Sequence, residues 1–156
     1  LDGLAKGWIA DQGIAAIRET GVSRALINAG GDIASLGQRD ERQPWRVAVS
    51  DPADPLKAKV IVPLRGDAIA TSGNYEVYFD QERLYFHIID PKAGRSPRTD
   101  VSVSVRAPQA ALADALSTAC FVMAPPQAQA YLQRRGLKGL ILTRQGQRLE
   151  SPGFSA

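Results

Sequence analysis

Val101-Ser102-Val103-Ser104-Val105, followed closely by Ala110-Ala111-Leu112-Ala113-Asp114-Ala115-Leu116-Ser117-Thr118-Ala119-Cys120-Phe121-Val122-Met123, is the stretch on which the fold turns. The first segment alternates valine and serine strictly, the period of a strand with one apolar face, so a half-buried strand is expected. The second is apolar over several turns and stops before Pro125-Pro126, where a helix from about Ala110 to Met123 must end. Downstream, a helix over about Gln127–Arg135 halts at Gly136, and Gly139–Thr143 and Gln147–Glu150 close as a hairpin around Gln145-Gly146. Upstream, Leu4, Trp8, Ile9, Ile14, Ala15 and Ile17 suit a helix from about Leu4 to Thr20, with Gly21 at its C-terminal cap. Strand-like runs lie between: Arg24–Asn28, Trp45–Ser50, Lys59–Leu64, Ala68–Thr71, Val77–Phe79 and Leu84–Ile89. The last two should pair through the turn Asp80-Gln81-Glu82-Arg83. The order of helix, many strands, helices and hairpin predicts an α+β fold. We expect a mixed, largely antiparallel sheet packed with about three helices rather than a repeating βαβ unit.

The 156 residues fit one domain with a sizeable core, without internal repeat or linker. Hydrophobic residues make up 44% and charged residues 22%, a globular balance. No apolar run has the length of a membrane span, and no signal peptide opens the chain. The net charge of +3 comes from scattered cations, with Arg134-Arg135 the only basic pair. That argues against nucleic acid as a partner and suits a small anionic ligand equally well. Cys120 and His87 are each the only residue of their type, so neither a disulfide framework nor a common zinc ligand set is available within the chain. A bound metal would take oxygen ligands, which points to magnesium or calcium.

Five places offer chemistry. His87 sits toward the end of the apolar run Tyr85–Ile89, shortly before Asp90-Pro91 and Gly94, where a histidine serves as a general base or simply packs beside a turn. Asp114 and Thr118 lie four residues apart and share a helix face, a carboxylate and a hydroxyl for a hard cation. The competing reading is an aspartate serving the helix dipole beside an incidental threonine. The apolar surroundings favour the cation, since a buried carboxylate without a partner is costly. Asn28-Ala29-Gly30-Gly31-Asp32 after a strand is either an anion-binding loop or a tight turn, and it matches no Walker or dinucleotide fingerprint. Ala70-Thr71-Ser72-Gly73-Asn74 has the same ambiguity, and Lys6 is either a phosphate-binding cation or part of a solvated helix face.

Taken in order, these segments resemble a known family. Asp2-Gly3-Leu4-Ala5-Lys6-Gly7-Trp8, Asn28-Ala29-Gly30-Gly31-Asp32, Ala70-Thr71-Ser72-Gly73-Asn74-Tyr75, His87-Ile88-Ile89-Asp90-Pro91 and Asp114-Ala115-Leu116-Ser117-Thr118-Ala119 are similar to blocks of the ApbE-type FAD:protein FMN transferases. They span nearly the whole chain. Two departures stand out: the chain opens inside the first block, and Ala93 stands where the family more often has threonine. The resemblance implies that residues 1–156 are the C-terminal portion of such a flavin transferase domain, lacking the N-terminal half and inactive alone.

It further implies an enzyme that transfers FMN from FAD to a threonine hydroxyl of an acceptor protein, such as a subunit of a redox-driven ion pump, and releases AMP. Magnesium would be held by Asp114, Thr118 and the backbone carbonyl of Ala5, and His87 would act as base. Lys6, Asn28, Gly30, Gly31, Asp32, Ser72, Gly73, Ile88 and Asp90 would line or shape the FAD site. Hydrolysis of FAD to FMN and AMP, or flavin binding without transfer, are the alternatives. The family likeness implies a periplasmic or cell-envelope location.

Overall fold

A computed structural model describes residues 2–74, 79–81 and 85–156. Among these residues the order is α1 (Asp2–Glu19), β1 (Ala25–Ala29), β2 (Asp32–Leu36), β3 (Trp45–Asp51), β4 (Asp54–Leu64), β5 (Ala68–Gly73), β6 (Val101–Ala107), α2 (Ala110–Phe121), α3 (Pro125–Arg134), β7 (Lys138–Thr143) and β8 (Arg148–Glu150). The mixed α+β class is as expected. One sheet runs β1-β2-β5-β6-β7-β8 and a second pairs β3 with β4; every pairing is antiparallel. Val77 and Tyr78 of one expected strand, Glu82 and Arg83 of its turn, and Leu84 lie outside the described residues, as does Tyr75.

The large sheet is the middle of three layers. Alternation along the strands sends Val101, Val103, Val105 and Ile141 to one face, against Cys120, Phe121, Ala128 and Leu132 of α2 and α3. Ala34, Leu36 and Ala68 on the same face meet Ala10 and Ile14 of α1. The opposite face presents Ile33, Ile69, Leu140 and Leu142, which pack with Val47, Val49, Val60, Val62 and Leu64 of the β3–β4 ribbon. This second cover overturns the half-buried expectation for β6, all seven residues of which are buried. Two of its polar side chains find partners inside the protein, while the buried Ser102 hydroxyl has none among the described residues. Ser104 Oγ lies 2.7 Å from Thr71 Oγ1, and Arg106 pairs with Asp67 and donates to the carbonyl of Ala156 at 2.7 Å.

Two further points concern strands. The tight-turn reading of Asn28 to Asp32 holds, because β2 begins at Asp32 and pairs in full register with β1. Gly30 and Gly31, at φ 63° and 97°, form the two-residue hairpin between them, a turn that needs left-handed backbone at both central positions. Tyr85–Ile89 is not a continuous strand. Among the described residues, the Phe79 N–H donates to the Tyr85 carbonyl at 2.8 Å, and a side chain also holds Phe86. Ser96 Oγ accepts the Phe86 N–H at 2.9 Å and donates to the Phe86 carbonyl at 2.8 Å.

Helix α2 is seated on α1 by two devices. Gly7 passes so close to the start of α2 that a Cβ there would lie 2.4 Å from the Ala110 carbonyl oxygen. The Asp11 carboxylate accepts the N–H groups of Ala110 and Ala111 at 2.8 and 2.9 Å, capping α2 from another helix where Gln109 contributes no side-chain cap.

Candidate active site

The α1–α2 junction opens onto a cleft of about 480 Å³ at the end of the sheet. Helix α1 contributes Gly3, Ala5 and Lys6, and β2 contributes Asp32. The end of β5 adds Thr71, Ser72 and Gly73, the segment after Phe86 adds His87, Ile88 and Ile89, and α2 adds Asp114 and Thr118.

His87 reaches this cleft because its neighbours are anchored. Phe86 and Ile88 are buried, and the Phe86 ring meets Phe121 of α2 edge-on, with centroids 5.7 Å apart. Alternation between the two anchors leaves His87 exposed at the mouth. Asp114 is 4% exposed, and its Oδ2 accepts the Gly7 N–H at 3.1 Å. Burial pushes its carboxyl above the usual range, while the Gly7 N–H and the Lys6 charge pull it back. Thr118 lies one turn further along α2, and Gly3 passes beside it: a Cβ at Gly3 would meet Thr118 Oγ1 at 3.2 Å. Ser72 Oγ sits 2.8 Å from Ser117 Oγ and 3.1 Å from Thr118 Oγ1. Lys6 Nζ stands 3.3 Å from the buried Asp32 carboxylate, so the cation leans over the floor of the cleft.

Of the residues singled out from sequence, Ala5, Lys6, Asp32, Ser72, Gly73, His87, Ile88, Asp114 and Thr118 line one cavity. Asn28, Gly30, Gly31 and Asp90 are not among its lining. Asn28 Oδ1 accepts the Gly31 N–H at 2.8 Å, which stiffens the hairpin. The Asp90 carboxylate accepts the Lys92 N–H at 2.9 Å and its N–H donates to the Arg95 carbonyl, so it shapes the turn after His87. Sequence reasoning passed over Gly3, Gly7 and Ser117. The four-residue spacing of Gly3 and Gly7 was the available signal, since glycine marks close approach of another segment.

The donors fit a hard cation. Among the described residues no three of His, Cys, Asp and Glu gather. The cleft instead offers two buried carboxylates, Asp114 and the Lys6-paired Asp32, with the Thr118 hydroxyl beside Asp114. Magnesium suits such a set, because it takes one or two protein carboxylates at most and keeps other positions for water and substrate phosphate.

Residues 1–141 match the ApbE family. The FAD:protein FMN transferase of Escherichia coli K12 is 37% identical over 163 residues, an overlap of 100% of this chain and 46% of that protein. Among solved structures, the ApbE protein of Thermotoga maritima superposes with a TM-score of 0.88 at 34% identity, over 97% of this chain and 50% of that one. The apo flavinyl transferase ApbE of Pseudomonas stutzeri gives 0.79 at 28% identity, over 98% and 47%. The chain thus spans about half the length of the curated relatives it matches.

Proposed function

The chain belongs to the ApbE family, and from that premise we propose that its cleft serves magnesium-dependent transfer of FMN from FAD to a threonine hydroxyl of an acceptor protein, with release of AMP. One observation carries the reading: the only histidine of the chain and the Asp114–Thr118 pair line the same cavity.

The threonine oxygen attacks the phosphorus of the FMN half, that phosphorus parts from the bridging oxygen, and AMP leaves with it. His87 accepts the hydroxyl proton as the new P–O bond forms. An alcohol is a poor nucleophile at neutral pH, so a positioned base contributes ~10²–10⁴-fold. Asp114, Thr118 and the Ala5 carbonyl would hold Mg²⁺, which when bound neutralises charge on the pyrophosphate and the departing phosphate. Lys6, tethered at Asp32, adds positive charge on the same side. Ser72, Gly73 and Ile88 line the wall against which the dinucleotide rests. The acceptor is a protein with an accessible threonine, for example a subunit of a redox-driven ion pump. On the family likeness the reaction belongs to the periplasm or cell envelope.

The test is His87→Ala in the intact protein, with FAD, Mg²⁺ and an acceptor followed by mass spectrometry. Acceptor labelling should fall by at least ~10² while FAD still binds. Labelling at the wild-type rate would refute the role of His87. FMN and AMP released without labelled acceptor would assign the cleft to hydrolysis instead.

A further inference from the structure

Three hydroxyls join β5 to α2 behind the Asp114–Thr118 pair, and their hydrogen bonds can be satisfied in only one direction. Ser117 Oγ lies 3.0 Å from the main-chain carbonyl oxygen of Asp114, which can only accept, so the Ser117 proton is committed there. Ser117 Oγ must then accept from Ser72, 2.8 Å away. The single proton of Ser72 is thereby used, and the 3.1 Å contact with Thr118 is made only if Thr118 donates to Ser72. Each hydroxyl gives one proton to the next in the order Thr118, Ser72, Ser117, and the Asp114 carbonyl ends the chain.

The consequence is a polarity at Thr118. Its proton is spent on Ser72, so its oxygen has only lone pairs left to offer the cleft. An oxygen so oriented accepts a cation and offers no proton to an anion. Ser117 is fully buried and Ser72 nearly so, which shields the relay from water that would scramble it.

We propose that Ser72 and Ser117 are positioning residues that orient the Thr118 hydroxyl as a cation ligand beside the Asp114 carboxylate. This inference rests on the metal reading of the cleft given above. It takes Ser72 from the flavin wall, where sequence likeness puts it, to the shell behind the metal. Outer partners of this kind typically change metal affinity about 10–100-fold when removed.

The test is a double-mutant cycle on divalent-ion affinity rather than on turnover. The intact protein, loaded with FAD, is titrated with Mn²⁺ by electron paramagnetic resonance, and retention of the fold is checked by circular dichroism. Ser117→Ala should weaken Mn²⁺ binding about 10-fold or more. In a Thr118→Val background the same Ser117→Ala change should have no further effect, because its influence passes through the Thr118 oxygen. Wild-type affinity in Ser117→Ala, or an equal loss in both backgrounds, would overturn the relay. Asp114→Asn separates the two levels of the reading. If it binds Mn²⁺ as well as wild type, the cation site itself is wrong. If it alone loses the ion and Ser117→Ala does not, only the relay fails.

Discussion

Asp114 keeps its proton to higher pH when folded than an ordinary aspartate does, because burial disfavours the charge. The folded state therefore binds more protons than the unfolded one between the ordinary value near 3.8 and the raised value. Stability falls as pH rises through that window, and the whole penalty is present above it. A bound cation reverses the sense by favouring the carboxylate. Asp114→Asn in metal-free protein should accordingly raise the urea midpoint over wild type at pH 7, with the difference shrinking as pH falls through that window and gone below the ordinary value near 3.8. Mg²⁺ should then lift the wild-type midpoint and leave the variant unchanged. A variant less stable than wild type at pH 7 without metal would contradict the assignment of burial as the dominant influence. At this scale the sequence was informative where chemistry repeats locally: the four-residue spacing of Asp114 and Thr118 announces a shared helix face. It was silent on Ser117, whose role depends on Ser72, a residue 45 positions away that only the fold brings within 2.8 Å.

Helices α1 and α2 form the element that builds the site, and their contact is made by small residues. Gly7, Ala10 and Ala110 are buried where the two helices meet, while Leu4, Trp8 and Ile9 are 40%, 54% and 59% exposed. Of the large apolar residues that suggested a helix, Ile14 and Ile17 pack against the sheet, whereas Leu4, Trp8 and Ile9 do not bury it. Periodicity located α1 correctly, but it could not say that the packed face is the glycine and alanine face. Gly7→Ala should prove costly, since the added methyl would sit 2.4 Å from a main-chain oxygen and cannot be absorbed by a side-chain rotation. Overpacking of this kind costs about 1–3 kcal/mol or more, and here it also pushes the Gly7 N–H off Asp114. Urea unfolding should show a loss in that range; a change below about 0.5 kcal/mol would mean that the helices can separate without cost.

Across the whole molecule, the layer order explains what the sequence could and could not disclose. The α+β class and most element positions follow from local patterns, since strands and helices announce themselves by period. The burial of both faces of β6 does not. Serine alternation reads as a wet face, and only the β3–β4 ribbon, paired within itself and folded over the sheet, makes that face interior. The hairpin at Gly30-Gly31 was ambiguous for a related reason, because paired glycines serve a tight turn and an anion loop alike. Its exposed position and the absence of these glycines from the lining of the cleft favour the turn. The cleft itself is a product of the assembled layers: α1, β2, β5, the segment after Phe86 and α2 each supply one wall, from positions spread over most of the chain.

Anomalous diffraction from Mn²⁺ in crystals of the intact protein grown with FAD tests the central claim most directly. The account predicts one ion in contact with both the Asp114 carboxylate and the Thr118 hydroxyl, at about 2.0–2.3 Å, sharing its remaining positions with the pyrophosphate of FAD on the side of the cleft that His87 faces. An ion bound away from that pair, or a dinucleotide whose phosphates lie outside the cleft, would contradict it.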